Sequence, residues 1–256
     1  MMGLARKALD KGVSTLLSVD PPVPGALRDG VADVFRVASS VRGAAVLHPD
    51  GVALRGVFRT HGGEVWGSPL LDRPGRYEAV VRLSKGTGTP GALPDALGLA
   101  IRVRDAGGDG RPFDLVLGSA ARSPALRHLI VPRDNVFGVY TSVLPYRVGP
   151  HRRFFAALPT RSGRRIRPSP SAVRAAVEKG PLDFVIALGS ATGRWHPVAS
   201  LLITAVADVA DDQLCFDICR HVVEGIRPFG ALQRMRGPAY RGSQQGRSAT
   251  CPMGFH

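Results

Sequence analysis

In the run GVALRGVFRT, beginning at Gly51, the positions Val52, Leu54, Gly56 and Phe58 alternate with Ala53, Arg55, Val57 and Arg59. A period of two marks a strand with one face buried. The same pattern recurs in YEAVVRLS, LGLAIRVRD and FDLVLGS, and these runs are set apart by the turn-forming clusters HPDG, LDRPG and GTGTPG. FVIALGS and ASLLITAVADV supply two further candidate strands.

Helical spacing is confined to three places. GALRDGVADVFRVASSVR puts Leu27, Val31, Val34, Phe35 and Ala38 on one face, which predicts a helix within an N-terminal segment spanning residues 1–40. SPSAVRAAVEKG reads as a short capped helix, with Ser169 or Ser171 as N-cap and Gly180 as its stop. From about Asp211 the tail again reads as helical, through LCFDICRHVV and ALQRMRGPAYRGSQQGR. Short strands at regular spacing with few helices between them predict an α+β chain built on an antiparallel β-barrel, with helices packed outside it. Residues 41–256 form that barrel with its C-terminal helices, and the whole is expected to be one domain.

Composition narrows the function classes. The chain has 256 residues and a 44% hydrophobic share, enough for a large core. It has no apolar run of about 18 residues, so no transmembrane segment is expected. Its start lacks the apolar core and cleavage site of a signal peptide. Three cysteines, Cys215, Cys219 and Cys251, suit a reducing compartment, so a cytoplasmic location is expected; Cys215 and Cys219 read as buried helical thiols.

The net charge of +14 is almost entirely arginine, with lysine only at Lys7, Lys11, Lys85 and Lys179. Its densest run, HRRFFAALPTRSGRRIRPSP from residue 151, has no helix-turn-helix, zinc-finger or RNP-like surroundings. It reads as a solvated loop over residues 151–167, and nucleic acid is not the expected partner.

Three groups of residues could carry chemistry. His48 stands on a Pro-Asp-Gly turn just ahead of the first strand. Val80, Arg82 and Ser84 share one face of the second strand, either as the plain outside of a sheet or as the lining of a pocket for a large, flat, anionic molecule. Arg236 and Tyr240 are four apart, hence neighbours if helical, and Arg247 returns to the same side seven residues later.

Taken in order, these stretches resemble the heme-dependent catalases. VLHPDGVALRGVF is similar to their His-x-x-Gly-x-x-x-x-Gly-x-Phe segment, through His48, Gly51, Gly56 and Phe58. VRLS resembles Val-Arg-Phe-Ser, through Arg82 and Ser84, and PDALGLAIRV resembles an Asp-x-x-Gly-x-Ala run, through Asp95, Gly98 and Ala100. Near the end, RPFGALQRMRGPAYRGSQQGR is similar to the Arg-x-x-x-Tyr signature of short catalase-related proteins, through Arg236, Tyr240 and Arg247.

The resemblance implies a catalase-type barrel with a C-terminal proximal helix and heme as cofactor. Tyr240 would ligate the iron as a phenolate, the ligand catalases use. A phenol with an ordinary pKa near 10 needs cations nearby to ionise, and Arg236 and the metal would provide them. Arg82 and Arg247 would meet the heme propionates. His48 would be the general acid–base for a peroxide, standing where the barrel interior opens onto heme, and Ser84 would fix its tautomer.

The expected reaction is that of a peroxidase or weak catalase acting on hydrogen peroxide or organic hydroperoxides, lipid hydroperoxides included, in a monomer or homodimer. A heme-free barrel that binds a hydrophobic ligand or partner, and an allene-oxide-synthase-like rearrangement of hydroperoxides, remain as alternatives. The chain departs from its relatives where catalases carry a peroxide-binding asparagine, because LVLGSAARSP has Ser119 and Ala120 instead. It also has Ala45 where they have an arginine before the distal histidine, and Gly237 and Pro238 between Arg236 and Tyr240.

Overall fold

The fold is taken from a computed structural model that describes residues 51–86, 88–121, 127–160, 164–209 and 214–230. The described strands are β1 (Gly51–Thr60), β2 (Gly75–Lys85), β3 (Leu97–Val103), β4 (Phe113–Ser119), β5 (Tyr140–Thr141), β6 (Tyr146–Val148), β7 (His151–Pro159), β8 (Leu182–Gly189), β9 (His196–Val206) and β10 (Ile226–Pro228). Among the described residues two helices accompany them, α1 (Pro69–Asp72) and α2 (Pro170–Glu178). Every strand pairing is antiparallel.

The order β5-β4-β3-β2-β1-β9-β8 is closed by β7, which pairs with both β5 and β8. The result is a closed eight-stranded barrel, and β6 and β10 extend β7 into a three-stranded flap. Closure removes the exposed edges that an open sheet of this size would present.

All six strands expected from alternation are present, because their inward positions carry large apolar side chains. Val52, Leu54 and Phe58 from β1, Val81 and Leu83 from β2, Leu99 and Ile101 from β3, and Leu115 and Leu117 from β4 belong to one buried cluster. Phe155, Phe184, Ile186, Leu201 and Ile203 join it from the far wall. A barrel of eight strands is just wide enough for such side chains to fill it. Helix α2 begins as expected, with Ser169 as N-cap and Pro170 in the first turn, and it turns Val173 and Val177 inward. Gly180, at φ 148°, follows its end.

Two expectations are corrected. The basic run from residue 151 is not a loop throughout: residues 151–159 form β7, with Phe154, Phe155, Ala156 and Ala157 all buried, and only its described residues between Pro159 and Pro170 lie outside a strand or helix. Alternation is lost there because consecutive residues are enclosed on both faces. The stretch LCFDICRHVV is not helical over its described residues, 214–223: it is loop to Asp217, a turn at residues 218–220 and a bridge at Val223. Asp217 Oδ1 accepts the backbone N–H of Cys219 and of Arg220, a local turn that competes with helix. Cys215 is half-buried and Cys219 exposed, so these are not buried helical thiols. The N-terminal segment of residues 1–40 and the C-terminal proximal helix lie outside the described residues. Among the described residues, no helix is long and apolar enough to cross a membrane.

Candidate functional site

The strands β1 to β4 have a second face, turned away from the core. Directly paired residues share a face, so the register places Gly51, Ser84, Gly98 and Gly118 in one row across the four strands. The next row is Ala53, Arg82, Ala100 and Val116, and the third is Arg55, Val80, Arg102 and Asp114. The first two rows therefore form a shelf with almost no projecting side chains, roughly 14 Å wide at the usual strand spacing. Ile130 and Val143 stand at its β4 end, since a Cβ at Gly118 would lie 3.5 Å from Ile130 Cγ1 and 3.7 Å from Val143 Cγ2.

Arg82 is the large side chain on that shelf, and it lies across Gly51. A Cβ at Gly51 would come within 2.6 Å of Arg82 Nη2 and 2.7 Å of Cζ. Glycine at this position is what lets the guanidinium lie flat. The two members of the catalase-like spacing, Gly51 on β1 and Arg82 on β2, are thus tied together sterically. Gly56 has a different duty, because a Cβ there would meet the Leu202 carbonyl oxygen at 2.5 Å, beside the bulge where β1 crosses β9.

Ser84 faces Gly51, and the loop after β2 pins its strand end. Lys85 is 4% exposed, and its Nζ donates to the carbonyls of Thr89 at 2.5 Å and Gly91 at 2.9 Å. Asp95, 2% exposed, accepts the N–H and the hydroxyl of Thr89, both at 2.9 Å, and its backbone bridges to Arg133. Sequence reasoning left Lys85 without a role. The signal available was its rarity, one of four lysines in an arginine-rich chain. A lysine suits the position because its compact ammonium can reach several carbonyls from one point.

An ion cluster bounds the shelf on its other side. Asp114 is fully buried, and Arg102 grips it with two bonds, Nε to Oδ1 at 2.8 Å and Nη2 to Oδ2 at 2.7 Å. His221 Nδ1 lies 2.8 Å from Oδ2, and the Asp217 N–H donates to the same oxygen at 2.7 Å. Burial opposes ionisation of Asp114, but hydrogen bonds and charge from Arg102 and His221 outweigh it and hold the carboxyl below its usual range. Arg102 also donates to the Cys215 carbonyl and stacks on Phe216, which fastens residues 215–221 to the barrel.

Among the described residues, none replaces the missing amide. Ser119 Oγ donates to the Val131 carbonyl at 2.7 Å and accepts the Leu97 N–H at 3.0 Å, so it is committed to the barrel wall. Ala120 is fully buried. The sequence contains a single asparagine, Asn135, and its Oδ1 accepts the N–H groups of Phe137 and Ile166.

Of the predicted site residues, Arg82 and Ser84 lie on the shelf, two residues apart on β2. His48, Arg236, Tyr240 and Arg247 lie outside the described residues. Arg82 and Ser84 alternate with the buried Val81 and Leu83, so they lie on the face of β2 away from the core cluster. A shallow cleft beside Gly51, Ser84, Val136 and Ser169 encloses only about 10 Å³, room for no more than a water. Chemically, a flat surface of glycine and alanine with one guanidinium across it suits a planar molecule that carries carboxylates.

No family model matches this chain, and no curated protein does. Solved structures do. A fungal catalase aligns with a TM-score of 0.58 at 12% identity, over 85% of this chain and 62% of its own. A bacterial catalase aligns with a TM-score of 0.59 at 12% identity, over 91% of this chain and 62% of its own. This is the catalase fold. The chain spans about three-fifths of the length of those catalases, and the likeness is one of backbone. The expected α+β chain with a catalase-type antiparallel barrel is thereby met, and so is the resemblance as far as it concerns fold.

Proposed function

We propose that the outer shelf of β1 to β4 binds heme and that the chain is a heme-dependent peroxidase or weak catalase. The observation that carries this reading is the shelf itself, where Arg82 lies flat over Gly51 among glycines and alanines, with Ser84 in the adjoining row. Side chains of ordinary size there would prop a macrocycle away from the sheet. Arg82 holds a propionate, with a planar guanidinium matched to a carboxylate. The remaining assignments rest on the resemblance: Tyr240 would ligate the iron as a phenolate, Arg236 would be the cation that keeps it ionised, and Arg247 would meet the second propionate. Bound heme supplies redox-active iron with an electron-rich axial ligand.

The chain's own residues then divide the proton work. His48 takes a proton from one peroxide oxygen and returns it to the other, so that water can leave. Ser84 bonds the far ring nitrogen and fixes which nitrogen faces the peroxide. Gly51, three residues after His48, stands directly opposite Ser84, which favours this pairing. With Ser119 and Asn135 both committed elsewhere, no side-chain amide among the described residues of the barrel wall is free to hold a second peroxide. Turnover with a reducing co-substrate, on hydrogen peroxide or organic hydroperoxides, is accordingly favoured over disproportionation.

Reconstitution with hemin tests the reading. The Soret and charge-transfer bands of tyrosinate-ligated high-spin iron are expected, and Tyr240→Phe should remove them. His48→Ala should keep the spectrum and lose peroxide turnover by 10²-fold or more, on the order expected of a general acid–base. A protein that takes up no hemin would favour a heme-free barrel, and hydroperoxide rearrangement without a reductant would favour the allene-oxide-synthase-like chemistry.

A further inference from the structure

Arg82 marks one end of the first row of the shelf, and the other end of that row is apolar. Gly51 on β1 and Gly118 on β4 share the row, three strand spacings or roughly 14 Å apart. Arg82 lies over Gly51. Over Gly118 lie Ile130 and Val143, because a Cβ there would sit 3.5 Å from Ile130 Cγ1, 3.7 Å from its Cδ1 and 3.7 Å from Val143 Cγ2. Leu115 and Leu117 point into the core cluster and Gly118 alternates with them, so both side chains stand on the outward face. Ile130 is 47% exposed, an unusual state for a large aliphatic residue in this chain.

Val143 is held in place by a strained backbone. Its φ is 56°, in the left-handed region that a β-branched residue rarely adopts. The Leu144 N–H donates to the Ser142 carbonyl, which closes a γ-turn around Val143, and the positive-φ form of that turn is the strained one. Ser142 fastens the turn, since its Oγ donates to the Leu144 carbonyl at 2.8 Å and accepts the Phe155 N–H at 3.2 Å. Glycine would adopt this backbone freely. What valine adds is a branched apolar group against Gly118, and strain of this kind persists where the strained residue has a task.

The cations of the neighbouring stretch are directed elsewhere. Arg127 stacks on the Trp195 ring at 4.4 Å, and Arg133 Nη2 donates to the Ala120 carbonyl. His128 Nε2 reaches the Ala191 carbonyl at 2.7 Å while its ring lies on Phe154. The row therefore has a guanidinium at one end and an aliphatic pair at the other.

We propose that Ile130 and Val143 make the shelf selective for a planar tetrapyrrole whose carboxylates lie on one edge only. Arg82 takes the carboxylate edge, and the aliphatic pair takes the opposite, apolar edge. The proposal rests on the heme reading above and adds the orientation of the ligand and the porphyrins it excludes. A carboxylate pressed against Ile130 and Val143 would lose its water and gain no donor there.

The test is a Soret titration of the full apo chain with three iron porphyrins. Hemin and iron mesoporphyrin IX have carboxylates on one edge, and iron coproporphyrin III has them on both. Hemin and iron mesoporphyrin should bind alike, and iron coproporphyrin at least about tenfold more weakly, the scale expected of a carboxylate left without a partner. Ile130→Lys supplies a cation at the apolar end and should abolish or reverse that preference. Val143→Gly keeps a backbone that suits glycine, so its denaturation midpoint should hold or rise while hemin binds several-fold more weakly. Circular dichroism checks the fold of each variant. Equal binding of hemin and iron coproporphyrin by the parent overturns the proposal and leaves the heme reading standing, as does a folded Ile130→Lys protein with the parent's preference. A parent that binds none of the three overturns both.

Discussion

The four strands β1 to β4 present two faces made of the same backbone and opposite chemistry. Inward, most alternate positions carry valine, leucine, isoleucine or phenylalanine, and Leu54, Val81, Ile101 and Leu115 are completely buried. Outward, the positions between them hold glycine, alanine and serine along two rows, interrupted by Arg82 and Val116, then an ion cluster at Arg102 and Asp114. The inner face explains why the chain closes into a barrel. The outer face does not help closure, because small side chains add little buried apolar area. What its residues share is flatness and one guanidinium, so the difference assigns folding to one face and recognition to the other.

That division can be broken by substitutions of graded effect. Ile101→Ala on the inner face should cost about 4 kcal/mol in chemical denaturation, the usual size for truncating a fully buried aliphatic residue. Its direct neighbours along β3 point outward, and Ala100→Ser should change stability by less than about 0.5 kcal/mol. Comparable losses at the two positions would contradict the two-face account.

Asp114→Asn comes next, at about 3 kcal/mol, since it leaves Arg102 and His221 without the buried charge they enclose. Its pH dependence has a definite sign. The folded carboxyl titrates below its ordinary range, so its contribution is fully present above the unfolded value near 4. It is lost as pH falls through the lower folded value. Denaturation midpoints of the parent should therefore drop below about pH 4, and Asp114→Asn should flatten that limb.

Smaller effects concern the outer face alone. Arg82→Ala should weaken hemin affinity about tenfold, the worth of one charge-assisted hydrogen bond near 1.4 kcal/mol, and leave the denaturation midpoint nearly unchanged. Gly118→Asn returns an amide to the shelf, where a Cβ meets only ordinary contacts at 3.5 Å or more. It should raise oxygen evolution from hydrogen peroxide severalfold relative to peroxidase turnover, measured with an oxygen electrode.

Much of this was legible in the sequence, for a physical reason. β1 to β4, β8 and β9 announce themselves because each has one face buried and one not, which writes a period of two. β7 was misread because Phe154 to Ala157 are enclosed on both faces and its first residues are histidine and arginine. β5, β6 and β10 have two or three residues each, too few to show any period. The loop and turn at residues 214–223 looked helical because Leu214, Phe216 and Ile218 are apolar. Their conformation is instead set by Asp114, a hundred residues away. Arg82 and Ser84 were identified from their shared strand face and the order of motifs. Lys85, Arg102 and His221 went unnoticed because their roles depend on partners that only the folded chain brings near.

The most direct measurement is a hemin titration of Ala100→Trp, followed at the Soret band beside the parent. Ala100 is paired with Arg82 at the centre of the outer face and points away from the core, so an indole there covers the shelf and spares the barrel. The account predicts an unchanged denaturation midpoint and loss of nearly all hemin binding. Full hemin uptake by a folded Ala100→Trp protein would contradict it.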